Sequence, residues 1–333
     1  MATIKDVAKL ADVSVTTVSR VLNKRGYISE EMHDKVYRAM EELHYQPNEI
    51  ARSLSKRRTK IIGLLLPVIN HPFFSEVTGE FTCQAGKLGY KTMICCSEND
   101  GEVAAEYVSM LKANQVDGVV LCLRTRKIEQ LLDDGMPVVT FERLKVGSLP
   151  AVGCDNRQGG ALAAQELLEC GCKHPVIVGA RENDTLPGVE RCAGFMEVME
   201  RAGIAVPTIN YVEEEFLTGS YTRIAQALFE QHPEADGVFC TNDLIASYVM
   251  QRAALEGRRI PEDLKVIGFN DTYHARCTTP PLTSVRQPVP QMVDRALSIL
   301  MRQIRGEKVD MSTTLPVTLS RRGSTRGANA KGE

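Results

Sequence analysis

From residue 60 onward short apolar runs alternate with stretches of helical periodicity, and nothing else in the chain limits its fold so strongly. The runs are IIGLLLPV at 61–68, KTMICCS at 91–97, VDGVVLCL at 116–123, PVVTFE at 137–142, HPVIVGA at 174–180, DGVFCTN at 236–242 and KVIGFND at 265–271. Helical patterns fill 74–88, 102–113, 158–170, 189–202 and 219–231, and Val289 to Arg305 is a further amphipathic helix. Repeated β–α units predict parallel sheets with helices on both faces. The series divides into one set of units to about 157 and a second to about 287, which predicts an α/β core of two lobes. Open parallel sheets bind ligands outside the carboxyl ends of their strands. Polar and aromatic residues collect there: Asn70, His71, Phe73 and Phe74; Glu142 and Arg143; Asp155 and Asn156; Asn242 and Asp243; Asn270 and Asp271. Carboxylates, amides and arginine suit polyhydroxylated ligands, because their fixed forks pair with adjacent hydroxyls. Phe73, Phe74 or Phe216 can cover an apolar sugar face. Each strand-end polar residue is also a natural helix cap, and for Asp155 and Asp243 both readings stay open.

The first 58 residues obey a different period. Thr3 can cap a helix with Ile4, Val7, Ala8 and Ala11 on its apolar face. After the Asp12-Val13-Ser14 break, Ser14 caps a second helix with Val18, Val21 and Leu22 on one side and Val15, Thr16, Ser19 and Arg20 on the other. A third helix, Ser29 to about Tyr45, carries Met32, Val36, Met40 and Leu43, and Pro47 is expected to stop it. Two helices joined by so tight a turn form a helix-turn-helix, whose second helix enters the DNA major groove. Charge agrees: residues 1–60 hold 12 Lys/Arg against 8 Asp/Glu, whereas the remaining 273 hold 28 against 34. A basic head on an acidic body favours phosphate contact at one end, and RSLSKRRTK at 52–60 adds five bases without an acid.

With 333 residues, 43% hydrophobic and 25% charged, the chain has length for a head and two core-bearing lobes. No apolar run approaches the roughly 18–20 residues that span a bilayer, so a cytoplasmic, nucleoid-associated protein without membrane contact is expected. Ten cysteines in that setting read as reduced thiols. Cys170, Cys172 and His174 read as a helix end capped by Gly171 rather than a metal site, and adjacent Cys95 and Cys96 as core. No metal and no cofactor is expected. The chain lacks the GxxxxGK, HExxH and GxSxG signatures, so an enzyme finds little support.

DVAKLADVSVTTVSRVLN followed by LHYQPNEIARSL resembles the head and hinge of the lactose-repressor (LacI/GalR) family, and the likeness runs through PPLTSVRQP to RRGSTR. IIGLLLPVINHPFFSE, YVSMLKANQVDGVV and AVGCDNRQGGALAAQEL are most similar to sucrose-operon repressors. The resemblance implies a helix-turn-helix head at 1–46, a hinge helix and linker at 47–59, and a periplasmic-binding-protein-like core. In that core, 60–157 plus 288–316 form the N-subdomain and 158–287 plus 317–326 the C-subdomain, with 327–333 a disordered tail. Val15 and Thr16 match the recognition positions that vary with operator sequence, and Arg20 is the guanine reader. Thr17, Ser19 and Asn23 are placed for phosphates, and Thr3, Ser14 and Arg52 complete the set on the duplex. The hinge residues Asn48, Ala51, Ser53 and Leu54 fit a short helix. Two such helices would lie in the minor groove of a palindromic operator with Leu54 as a wedge. Arg191 matches the family's effector-binding arginine, Asn242 its cleft asparagine and Phe216 its aromatic pocket residue. Asn270 departs from the aspartate of most relatives, so either its amide grips a hydroxyl or Asp271 has taken over.

These implications make the chain a homodimeric transcriptional regulator whose operator affinity is set by a small sugar or sugar phosphate between the lobes. The tail SRRGSTRGANAKGE has no leucine heptads, so the family's tetramerising appendix is not expected. Two alternatives keep the same head: a catabolite-control type answering a phosphorylated carrier protein, and a purine-responsive repressor.

Overall fold

Thr3 starts the first helix by a reciprocal pair of hydrogen bonds: its hydroxyl oxygen accepts from the Asp6 N–H, and its own N–H donates to the Asp6 carboxylate at 2.8 Å. The computed structural model describes residues 2–23, 26–46, 58–123, 135–142, 149–179 and 187–326. The chain divides into two compact units, Met1–Thr59 and Lys60–Glu333.

The N-terminal unit has α1 (Ile4–Leu10), α2 (Val15–Asn23) and α3 (Glu30–Glu42). Asp12, at φ 53°, takes the left-handed turn between the first two, and Ser14 accepts from the Thr17 N–H at 3.0 Å to begin α2. Val7, Ala8, Ala11, Val18, Val21, Val36 and Ala39 make the buried core, with Ile4, Leu22, Met40 and Leu43 packed around it. Small β-branched and alanine side chains let three short helices close over one another. The third helix is shorter than its periodicity suggests. Ser29 caps it, but it ends at Glu42, and His44 at φ 47° turns the chain before Pro47 is reached. Pro47, the hinge residues Asn48, Ala51, Arg52, Ser53 and Leu54, and the tail 327–333 lie outside the described residues.

The C-terminal unit contains two six-stranded sheets. The first joins β1 (Ile61–Leu66), β2 (Lys91–Cys96), β3 (Gly118–Leu121), β4 (Val138–Phe141), β5 (Ala151–Cys154) and β11 (Ser312–Leu315) in the order β11-β5-β4-β3-β1-β2. The second joins β6 (Pro175–Gly179), β7 (Thr208–Asn210), β8 (Gly237–Cys240), β9 (Lys265–Asn270), β10 (Thr283–Arg286) and β12 (Thr318–Ser320) as β12-β10-β9-β8-β6-β7. All pairings are parallel except β10 with β12. Both sheets therefore carry the doubly wound 2-1-3-4-5 order, with switch points beside β1 and β6.

Helices α4 (Pro72–Lys87) and α5 (Gly101–Ala113) follow β1 and β2. The second lobe has α6 (Asn156–Glu169), α7 (Pro187–Arg201), α8 (Glu213–Thr218), α9 (Thr222–Gln231), α10 (Asp243–Leu255) and α11 (Tyr273–Cys277). The run read as one helix over 219–231 starts only at Thr222, because Gly219 at φ 69° ends the short α8 just before it. Helix α12 (Val289–Ile304) returns to the first lobe and packs on α4, β3, β4 and β5. Met292, Val293, Ala296, Leu297, Ile299 and Leu300 give it a buried stripe at helical spacing.

Candidate functional site

In the head, the caps that build α2 also sort its polar residues. The Ser14 hydroxyl is engaged with Thr17, and the Asn23 amide donates to the Ser19 carbonyl at 2.8 Å. Val15 (40% exposed), Thr16 and Arg20 are the side chains left facing solvent on that helix. The Thr3 hydroxyl is held by Asp6.

In the core unit, the ends of β1, β4, β5, β8 and β9 supply the site. Two clusters form there, and each joins the lobes. The first is aromatic. His71 and Phe74 of the first lobe meet Phe216 of the second, with ring centroids 5.7 Å (His71–Phe216) and 6.3 Å (Phe74–Phe216) apart, and Tyr211 stacks behind Phe216 at 6.5 Å. His71 caps α4: its Nδ1 accepts the Phe73 N–H at 3.3 Å, with Pro72 at the first helical position. The acceptor role of Nδ1 puts the ring proton on Nε2. Burial, then the Arg191 charge and then His274 hold the His71 ring down to about 4, so the ring is neutral near pH 7.

The second cluster is ionic. Arg191 on α7 donates from Nε to the Asn156 side chain at 2.7 Å, from Nη1 to the Thr241 carbonyl at 2.7 Å and from Nη2 to Glu142 at 3.3 Å. The guanidinium lies 3.7 Å over the Phe269 ring. Glu142 ends β4, so the pair ties one lobe to the other, and its second oxygen accepts the Cys154 N–H at 2.8 Å. Two rim contacts add to this closure: Asn99 donates to Glu213 at 3.1 Å, and the Tyr273 N–H to Glu76 at 2.8 Å.

Backbone strain marks the same strand ends. Glu142 has φ 51°, Asn270 φ 108° and Asp271 φ 55°, conformations that non-glycine residues adopt at a cost of about 1–3 kcal/mol each.

Other sequence-selected residues have partners of their own. Asp155 caps α6, accepting the Gln158 N–H at 2.9 Å, and Asn242 caps α10, accepting from Ile245 at 2.8 Å. Asn270 accepts from the Gln287 amide at 2.8 Å. The Asp271 carboxylate is taken by Arg322 at 2.6 Å, Arg286 at 3.4 Å and the Ser320 hydroxyl, so it fastens the edge strand β12 to the second sheet. Asp243 accepts from Thr272 and Ser284, and burial pushes it up to about 7. Phe73 is buried, Asn70 is exposed, and Arg143 lies outside the described residues. His71, Glu142 and Asn156 stand out in the sequence as strand-end polar residues without an assigned role. Tyr211 had no signal, because it follows a three-residue edge strand. No group of three or more His, Cys, Asp or Glu side chains that could hold a metal occurs among the described residues, and no helix there is long and apolar enough to cross a membrane.

His71 sets a pH dependence. Its folded value is depressed, so the stability it contributes is complete above its ordinary 6.5 and is lost as pH falls toward 4. Asp243 has the opposite sign, because a raised carboxyl favours the folded state at low pH. A His71→Asn variant keeps the cap and cancels every other group. Denaturant titrations at pH 7.5 and 5 should show the wild type losing about 2 kcal/mol more than this variant. Parallel losses would refute the burial-driven shift.

Residues 3–48 match the family described as bacterial regulatory proteins, lacI family, and residues 164–325 match the periplasmic binding protein-like domain. The chain is 36% identical over 331 residues to the ribose operon repressor of Halalkalibacterium halodurans, covering 98% of both. It is 36% identical over 319 residues to the sucrose operon repressor of Streptococcus mutans, covering 96% of this chain and 98% of that one. The fold superposes on the lac repressor dimer bound to operator and the anti-inducer ONPF with a TM-score of 0.86 at 22% identity, covering 97% of this chain and 99% of that one. A complex of the transcriptional regulator CelR with cellobiose gives a TM-score of 0.71 at 29% identity, covering 97% of this chain and 100% of that one. A capped helix-turn-helix ahead of twin doubly wound sheets, matched along nearly its whole length by operon repressors, means that the chain belongs to the LacI family of bacterial regulatory proteins.

Proposed function

We propose that this protein is a dimeric, DNA-binding repressor of a carbohydrate-utilisation operon, released from or tightened on a palindromic operator by a small sugar held between the lobes. The observation that carries the reading is the Glu142–Arg191 bridge, set where the carboxyl ends of both sheets face each other. A ligand entering there must alter the contacts that fix the angle between the lobes. Relatives named for ribose and sucrose operons, and the CelR complex with cellobiose, support a saccharide as that ligand.

In this reading Val15, Thr16 and Arg20 face base edges, while Ser19 and Asn23 lie near phosphates and Thr3, Ser14 and Thr17 hold the helix starts. The segment 47–59 acts as the hinge, with Asn48, Ala51, Arg52 and Ser53 on the minor groove and Leu54 as the wedge. Asn70, Phe73, Phe74, Arg143, Asp155, Arg191, Phe216 and Asn242 surround the effector, and Asn270 and Asp271 brace the wall behind it. Head 1–46, N-subdomain 60–157 plus 288–316 and C-subdomain 158–287 plus 317–326 are the working parts. A coupling of about 1–3 kcal/mol between sugar and operator suffices for regulation.

Anisotropy titrations against a palindrome selected from a random duplex pool, with and without ribose, fructose and sucrose, test this. At least one sugar should shift the midpoint, and Arg20→Ala should lower the preference for that palindrome over random duplex by roughly tenfold or more. An unchanged preference would remove Arg20 from the readout, and no shift with any sugar would remove the sugar.

A further inference from the structure

Helix α8 belongs to the second lobe by sequence but does part of its packing on the first. It spans only Glu213–Thr218, and Gly219 at φ 69° ends it. Phe216 on this helix is buried, yet it is grouped with neither lobe's apolar core. Its ring neighbours are His71 and Phe74 across the cleft and Tyr211 behind it. On its own side, Glu215 accepts the Val212 N–H at 2.8 Å and the Arg223 guanidinium at 2.6 Å. A helix of six residues does not persist in water without packing. Part of what orders α8 therefore lies on the opposite lobe and is lost when the lobes part.

The first lobe supplies a catch. Asn99 lies in the turn from β2 to α5 and donates from Nδ2 to the Glu213 carboxylate at 3.1 Å. That turn is a fixed post. The Glu98 N–H donates to the Pro67 carbonyl at 2.9 Å and the Asp100 N–H to the Ser97 carbonyl at 2.7 Å. The Asp100 carboxylate then accepts from the Glu102 N–H at 2.7 Å and the Val103 N–H at 3.2 Å to begin α5. Glu98 and Asn99 both take left-handed backbone, φ 50° and 61°, which is uncommon outside glycine. The catch thus joins a rigid turn on one lobe to a short, weakly held helix on the other.

We propose that α8 is a strap across the cleft, ordered by lobe closure and fastened by the Asn99–Glu213 hydrogen bond, so that a ligand enters and leaves only when the strap is undone. The gating role rests on the sugar-sensing reading above, whereas the dependence of α8 on closure rests on these contacts alone. The fastening groups all belong to the protein, so the same catch opens for entry and for release. Weakening it should raise both rates together and leave their ratio, the affinity, nearly unchanged. A side chain that simply touched the ligand would act on dissociation, and so on affinity.

Amide hydrogen exchange on the full-length protein tests the strap without any ligand. Asn99→Gly, which suits the left-handed turn, and Glu213→Ala should each speed exchange of the α8 amides about fivefold and leave α9 unchanged. Glu213→Gln keeps an acceptor and should match the wild type, and Asn99→Gly combined with Glu213→Ala should exceed neither single change. Unchanged α8 exchange in both single variants overturns the strap. Stopped-flow binding of whichever of ribose, fructose and sucrose binds best tests the gate. In the two catch variants association and dissociation should both rise about fivefold, with affinity within about twofold of wild type. Unchanged rates, or a rise confined to dissociation, overturn the gate and leave the sugar sensor standing. Failure of all three sugars to bind removes the sugar sensor and the gate together, while the exchange result still decides the strap.

Discussion

Replacing Gly160 with alanine should destabilise the core unit by about 3 kcal/mol or more, a larger loss than most cavity-free substitutions produce. A Cβ at Gly160 would stand 1.9 Å from the Arg191 carbonyl oxygen, and one at Gly194 would stand 1.9 Å from the Arg157 carbonyl oxygen. The backbones of α6 and α7 thus touch through their glycines in both directions, and neither can yield without moving the other. Gly194→Ala should cost as much, and Gly160→Ala should also blunt any sugar response, because the crossing sets where α7 presents Arg191. Gly79→Ala at an exposed position of α4, where a Cβ meets nothing within 4 Å, is the control. There alanine should add about 0.5–1 kcal/mol through its better helix propensity. Urea titrations of the three variants check this, and a Gly160→Ala midpoint within error of wild type would refute the close crossing.

Arg191→Ala carries the second large effect. The family resemblance implies that it abolishes the effector response and leaves operator affinity nearly intact. The structure adds a stability cost, because Glu142 would remain buried without its partner. Breaking one side of such a pair costs about 3–5 kcal/mol. Combining it with Glu142→Gln removes the stranded charge, so the double variant should regain a substantial part of that loss while staying deaf to sugar. Thermal unfolding of the single and double variants, with anisotropy run below the melting range, separates the two consequences. Equal stability of single and double variants would mean that Glu142 is not stranded.

Much of this architecture was legible in the residues. Thr3 and Ser14 announce the first two head helices because caps are local chemistry. Buried central strands such as IIGLLL and GVFC stand out as apolar runs. Strands β7, β11 and β12 were not picked out, since edge segments like STTL and TLS are short, polar and paired on one side, and the interior β10 was missed because TSVR is only four residues long and largely polar. Glycines 159, 160 and 194 look like helix breakers in sequence, yet each sits inside a helix to admit a neighbour. In the cleft, the family resemblance pointed to Arg191 and Phe216. The Arg191 partners Glu142 and Asn156 were visible only as strand-end polar residues, because which side chain meets which arginine depends on how two sheets face each other. Asp271 illustrates the limit: its sequence position favours a ligand, and its surroundings use it as a fastener.

The polypeptide passes between its two sheets three times, near Asp155, near Gln287 and near Pro316, and it finishes by donating β11 to one sheet and β12 to the other. Neither half owns its own last strand. Losing one sheet's edge therefore loosens the other as well, and the three parallel tethers permit bending while opposing sliding or separation. A body stitched in this manner transmits a small change at its mouth as a rotation of whole rigid halves, rather than dissipating it in local melting.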